Sequence, residues 1–207
     1  MPDSPTPPSP SPSGDESQRA LAGPVLLRSA IALVFGAVTV FWGAPTAFGG
    51  AWCLAAYFVG LAVARTWLLR RQGRAADSAA RPSGSTRVVA SAAYGVAAAV
   101  GLGLAAAPDT VVIGIGAAIA FAATGLADLA SGLAFRVAGQ RRSPLARDEV
   151  ITGVVHLGAA ILLPFFGALG AHALLGVAGG AAIITGVLLV IAGLSLRHDS
   201  PATAEVA

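Results

Sequence analysis

Apolar residues run along this chain in long blocks that charged residues only punctuate. Between Arg28 and Arg65 there are 36 consecutive positions without Asp, Glu, Lys or Arg, and from Val150 to Leu196 there are 47. A helix needs about 20 apolar residues to cross about 30 Å of hydrocarbon, so each block is long enough for two crossings. Gly and Pro mark the turns that divide the blocks. The resulting pattern predicts an all-α membrane protein with six transmembrane helices, arranged as three tandem helical hairpins. The spans are expected at about 24–43, 48–70, 87–107, 111–135, 149–166 and 172–196. The first hairpin turns at Ala44-Pro45-Thr46 and the second at Pro108-Asp109-Thr110, while Pro164 stands near the end of the fifth span.

Charge orients the map. All 13 basic residues are Arg. Arg19 and Arg28 precede the first span. Arg65, Arg70, Arg71, Arg74, Arg81 and Arg87 surround the loop between spans two and three. Arg136, Arg141, Arg142 and Arg147 surround the loop between four and five, and Arg197 follows span six. The three opposite turns hold only Asp109 and His172. Because Lys and Arg near span ends stay on the cytoplasmic side, both termini are expected there, in a plasma or inner membrane. Trp42, Trp52, Phe165 and Phe166 near the outer turns, and Trp67 near an inner end, read as interfacial anchors.

Composition agrees with this reading. The chain is 56% hydrophobic and 11% charged, with a mean hydropathy of +0.77, whereas a soluble domain carries about 25% charged residues. A sequence pI near 10.0 would suit nucleic acid only if the basic residues lay on a solvated face beside base-reading side chains. Here they bracket apolar spans, so the expected partner is the lipid bilayer and not nucleic acid. The Pro- and Ser-rich start, followed by a few acids, predicts a disordered cytoplasmic tail over residues 1–20, with a second short tail at 200–207. The start lacks the basic and apolar regions of a cleavable leader, so the first span is expected to remain. A single Cys53 excludes an internal disulfide.

The even-numbered spans can be laid over one another without gaps. Gly60, Gly125 and Gly186 each stand eleven residues before an Arg (Arg71, Arg136, Arg197), and spans four and six add Gly132 and Gly193 seven residues later, where span two has Trp67. Glycines two turns apart share a face and allow close approach of a neighbouring helix, so Gly60, Gly125, Gly132, Gly186 and Gly193 are read as helix-packing positions. In this overlay Val63 and Leu189 stand where span four has Asp128. The odd-numbered spans carry Gly before Pro: Gly36 and Pro45, Gly101 and Pro108, Gly158 and Pro164.

This two-span repeat resembles the HdeD family of bacterial inner-membrane acid-resistance proteins, also described as a short-repeat domain of unknown function. The residues that carry the resemblance are Arg28 through Pro45 (RSAIALVFGAVTVFWGAP), Gly101 through Pro108 (GLGLAAAP) and Gly186 through Arg197. It extends from about Arg28 to Arg197 and implies a six-span protein linked to acid or envelope stress, with no catalytic residue to carry over.

Asp128 is the polar residue that most needs explanation. It lies about 12 Å inside the membrane from the end of span four, where an ionised carboxylate costs about 2.5–3.5 kcal/mol on insertion scales unless it is paired or protonated. Arg65, His156 and Tyr94 reach a similar depth, about 9–11 Å by the same helical rise. A polar cluster of Asp128 with Arg65 or His156 and Tyr94 is therefore geometrically open. Read functionally, Asp128 and His156 form a proton-responsive pair, since His titrates near neutrality. Read structurally, Asp128 bonds Ser131, Tyr94 or backbone, and Arg65 extends to the interface.

No catalytic, cofactor-binding or metal-ligating pattern appears within reach of a membrane face, so no enzyme and no cofactor are expected. Three functions remain: a non-enzymatic stress protein of the HdeD type, a small proton-coupled transporter or channel using Asp128, and a structural assembly partner. The last would associate with a second copy or another membrane protein through faces such as Gly176 and Gly180.

Overall fold

The computed structural model describes residues 14–74, 83–106, 109–137 and 145–198. Residues 1–13 of the first expected tail (1–20), all of the second (200–207), and Arg81, Arg141 and Arg142 lie outside the described residues, while residues 14–20 of the first are helical. The described residues form six helices: α1 (Gly14–Phe41), α2 (Ala47–Arg74), α3 (Gly84–Leu104), α4 (Thr110–Val137), α5 (Ala146–Gly167) and α6 (Ala171–His198). All six are long and apolar enough to span a bilayer. The protein is an all-helical integral membrane protein, and no strand occurs among the described residues.

Local chemistry sets the helix starts. Thr46 accepts a hydrogen bond from the Gly49 amide at 3.1 Å, Ser83 from Thr86 at 3.1 Å and Asp109 from Val111 at 2.7 Å. Each satisfies an amide that the first turn leaves without a partner. Gly170 takes φ of 102° in the α5–α6 turn, a conformation that costs glycine nothing. The first helix begins at Gly14, ahead of the expected 24, and runs through Pro24.

The helices close into a ring in chain order, each antiparallel to its neighbours, with α6 packed on α1. The even-numbered helices also touch one another across the middle, so α2, α4 and α6 form an inner triad and the odd helices fill the grooves between them. One end of the ring carries the short turns and Asp109. The other carries the starts of the odd helices and Arg70, Arg71, Arg74, Arg87, Arg147 and Arg197. We call these the turn end and the basic end. Val34, Val63, Ile161 and Ile191 project outward with more than half their surface exposed, as lipid-facing side chains do, and Phe41, Phe48, Trp52 and Phe165 are exposed near the turn end.

The closest helix pairs are α4 with α5 and α6 with α1, both between hairpins. Glycine is the reason. A Cβ added at Gly125 would stand 3.0 Å from the Gly153 carbonyl, and one at Gly132 would stand 2.7 Å from that of Ala146, so the α4 and α5 backbones nearly touch. A Cβ added at Gly186 or Gly193 would stand 2.8 or 2.6 Å from the side chains of Leu33 and Leu26 of α1. Gly60 instead faces Ile31 of α1 at 3.0 Å.

The three inner helices are each 28 residues long, and laying them start to start corrects the gapless overlay for α2. Ala62 and Leu69, not Gly60 and Trp67, then stand opposite the Gly pairs of α4 and α6. Arg65, Asp128 and Leu189 occupy one register position. Val63, equated with Asp128 in the overlay, is 57% exposed. The overlay slipped by two residues because it was anchored on arginines beyond the packed region, where rotation is not constrained. Without glycines at its two crossing positions α2 holds α3 less closely.

Gly132→Val should therefore destabilise the bundle by about 2 kcal/mol, because its neighbour is backbone and cannot move aside. Gly176→Ala, which meets nothing within 4 Å, should change stability by less than about 0.5 kcal/mol. Equilibrium unfolding in detergent compares the two, and equal effects would contradict this packing account.

Candidate functional site: a buried charge network

Five helices each turn one polar face inward about ten residues from the basic end. Residues spaced three, four and seven apart share a helix face. That spacing brings Thr124, Asp128 and Ser131 inward from α4, and Glu149, Thr152 and His156 from α5. Arg28 comes from α1, Arg65 from α2 and Tyr94 from α3, and all nine are buried.

Asp128 is fully buried and holds the centre. Arg28 grips it with both guanidinium nitrogens, Nη2 to Oδ2 at 2.5 Å and Nη1 to Oδ1 at 3.4 Å. The Tyr94 hydroxyl donates to Oδ1 at 2.8 Å, and Nη1 of Arg65 lies 3.9 Å from the same oxygen. Arg65 itself donates through Nη1 to Glu149 Oε1 and through Nη2 to Ser131 Oγ, both at 2.6 Å. The Ser131 hydroxyl in turn donates to the Ala127 carbonyl at 2.8 Å. Both guanidinium groups also approach the Tyr94 ring, at 5.5 and 5.7 Å from its centroid. Two cations thus face two carboxylates, and the network is neutral as a unit. Charge-assisted bonds of this kind are the strong ones, and here every participant is buried.

Of the residues that the sequence singled out, Asp128, Arg65 and Tyr94 come together directly. His156 lies beside them, its Nδ1 3.8 Å from Asp128 Oδ2, beyond hydrogen-bond reach. Its nearest polar partner is the Thr124 hydroxyl at 3.3 Å. The alternative in which Arg65 extends to the interface fails, since Arg65 is 2% exposed and bound on two sides. His172 is exposed near the turn end.

Two members were missed. Arg28 was assigned to the charges that flank span one and Glu149 to the start of span five, yet they supply the second cation and the second anion. Their signal was present in part: Glu149, Thr152 and His156 share one helix face. Charge segregation reports which end of a helix a residue is near and carries no information on which way its side chain turns.

An aromatic layer borders the network toward the turn end. Phe35 stacks on Tyr57 with centroids 4.3 Å apart, Phe58 meets Phe121 edge-on at 5.1 Å, and Phe121 meets the His156 ring at 5.3 Å. Toward the basic end the neighbourhood is looser, with a cavity of about 10 Å³ touching Arg28, Arg65 and Glu149. Among the described residues no three His, Cys, Asp or Glu side chains assemble as metal ligands. Neither a protein-family model, nor a curated protein, nor a solved structure matches the chain.

Breaking one side of a buried pair strands a charge, at a cost of about 3–5 kcal/mol. Asp128→Asn should therefore destabilise the fold by about 3 kcal/mol or more, and so should Arg28→Met, while the double variant should cost clearly less than the sum. A double-mutant cycle on unfolding in detergent measures this, and strict additivity would mean that the pair contributes nothing as a pair.

Proposed function

We propose that this chain is a non-enzymatic, multi-pass protein of a bacterial inner membrane, of the HdeD type, acting under acid or envelope stress with both termini in the cytoplasm. The observation that carries the reading is the neutral network of Arg28, Arg65, Asp128 and Glu149, which ties α1, α2, α4 and α5 together and is closed toward the turn end by aromatic rings. Such a centre depends on two ionised carboxylates. Adding a proton to either leaves a buried guanidinium short of its counter-charge, which weakens the contact between helices. Acid thereby acts on the packing of the bundle itself.

A second reading, a small proton-coupled transporter built on Asp128, draws on the 3.8 Å approach of His156 to that carboxylate. Transport requires a polar path onward to the turn end, and the layer of Phe35, Tyr57, Phe58 and Phe121 stands across it. The assembly reading draws on Gly176 and Gly180, which face open space on the outer surface of α6 and leave room for a second copy or another membrane protein.

In a deletion strain, wild type is expected to restore acid survival and Asp128→Asn, at equal membrane abundance, is not. The reconstituted protein is expected to move no protons in either direction. Reporter fusions at both termini are expected to read as cytoplasmic. A deletion without phenotype would remove the stress reading, and measurable proton flux would put the transporter in its place.

A further inference from the structure

Asp128 and Glu149 are both buried carboxylates in one network, yet their surroundings allow them different chemistry. Around Asp128 the partners close in from four helices: Arg28, Arg65, Tyr94 and His156. Glu149 accepts at Oε1 from Arg65, while its Oε2 has no hydrogen-bond partner in the protein, and neither has Nε of Arg65. Both residues line the cavity of about 10 Å³, whose wall also includes Arg28, Leu145, Asp148 and Leu189. That volume is about the room one water needs, and a buried water needs two to four polar partners. The unpartnered Nε–H donor of Arg65 and Oε2 acceptor of Glu149, both on residues of that wall, supply two.

The position of the cavity matters equally. Glu149 is in the first turn of α5, about 5 Å along the axis from its start, and Asp148 beside it is only partly buried. On the same face of α5, deeper in the bundle, Thr152 Oγ1 and His156 Nε2 are also buried without partners. This column ends where the His156 ring meets Phe121. It begins in the first turn of α5, at the basic end, and stops at the aromatic layer.

We propose that this cavity is a binding site for a single water molecule, and that Glu149 rather than Asp128 is the group through which the network takes up a proton from the basic end. The step is a simple transfer. A hydronium ion arriving past Asp148 gives one proton to Oε2, a new O–H bond forms, and water is left in the cavity. Glu149 becomes a neutral acid. The charges that face it are Arg65 from α2, Arg28 from α1, Asp128 from α4, and Asp148 and His156 from its own helix; Tyr94 of α3 joins through Arg65 and Asp128, and α6 offers apolar Leu189. On protonation Arg65 keeps Ser131 and is drawn toward Asp128, so the tie to α5 is the one that loosens. The proposal deepens the acid-stress reading and rests on it only for its physiological meaning.

The chain has three glutamates, Glu16, Glu149 and Glu205. With Glu16→Gln and Glu205→Gln, carbon-13 placed in glutamate side-chain carboxyls reports Glu149 alone, in the full chain reconstituted in lipid nanodiscs. Solid-state NMR is expected to show water magnetisation reaching that carbon. Its resonance is expected to move to the protonated position on acidification before the Asp128 resonance, identified in aspartate-labelled protein by its loss in Asp128→Asn, moves at all. Ala64→Leu, which fills the cavity wall, is expected to abolish the transfer from water. Failure of water magnetisation to reach Glu149, or titration of Asp128 first, would overturn the proposal. Neither outcome depends on acid survival, so the proposal and the stress reading can fail separately.

Discussion

The structure depends on one electrostatic constraint: an ionised Asp128 inside the hydrocarbon must be matched, and Arg28 matches it with two nitrogens. An unpaired carboxylate at that depth costs about 2.5–3.5 kcal/mol on insertion scales, and an unpaired arginine a similar amount. Each charge added to solve the problem raises it again, so the account closes only when charges balance as a set. Arg28 with Asp128, Arg65 with Glu149, and a Tyr94 hydroxyl between them achieve that. The result favours one arrangement of helices over others, since any rotation of α1, α2, α4 or α5 strands a charge.

Glycine makes this arrangement reachable. Gly125 and Gly132 let α5 lie against α4, which carries Glu149 inward to meet Arg65, and Gly186 and Gly193 let α1 lie against α6, which carries Arg28 inward to meet Asp128. Ser29 adds a hydrogen bond to the Gly186 carbonyl at 3.0 Å, one residue from Arg28. Polar network and close packing therefore support the same geometry. The inner triad has Arg65, Asp128 and Leu189 at one register position, so a threefold repeat of shape carries a basic, an acidic and an apolar side chain. The symmetry of the backbone is broken by chemistry at one layer.

That layer divides the bundle into unlike halves. Toward the turn end, stacked and edge-on rings fill the interior. Toward the basic end, Glu149 and Arg65 border a cavity with Asp148 close to its rim. This asymmetry of packing joins the proposed acid response to the proposed entry at Glu149.

Six spans, three hairpins and the separation of basic from turn end follow from the sequence, because span length and charge placement are properties of each segment alone. Depth is another such property, and it was enough to group Asp128, Arg65, Tyr94 and His156. Partnership was not. Arg28 and Glu149 stand near charged boundaries where sequence distance from a span end cannot distinguish an outward side chain from an inward one. The alignment of α2 with α4 and α6 likewise misplaced Val63 opposite Asp128, because terminal arginines fix a helix along its axis and leave its rotation free. Rotation is decided only when helices pack, by which faces the glycines bring into contact and which charges can then be neutralised.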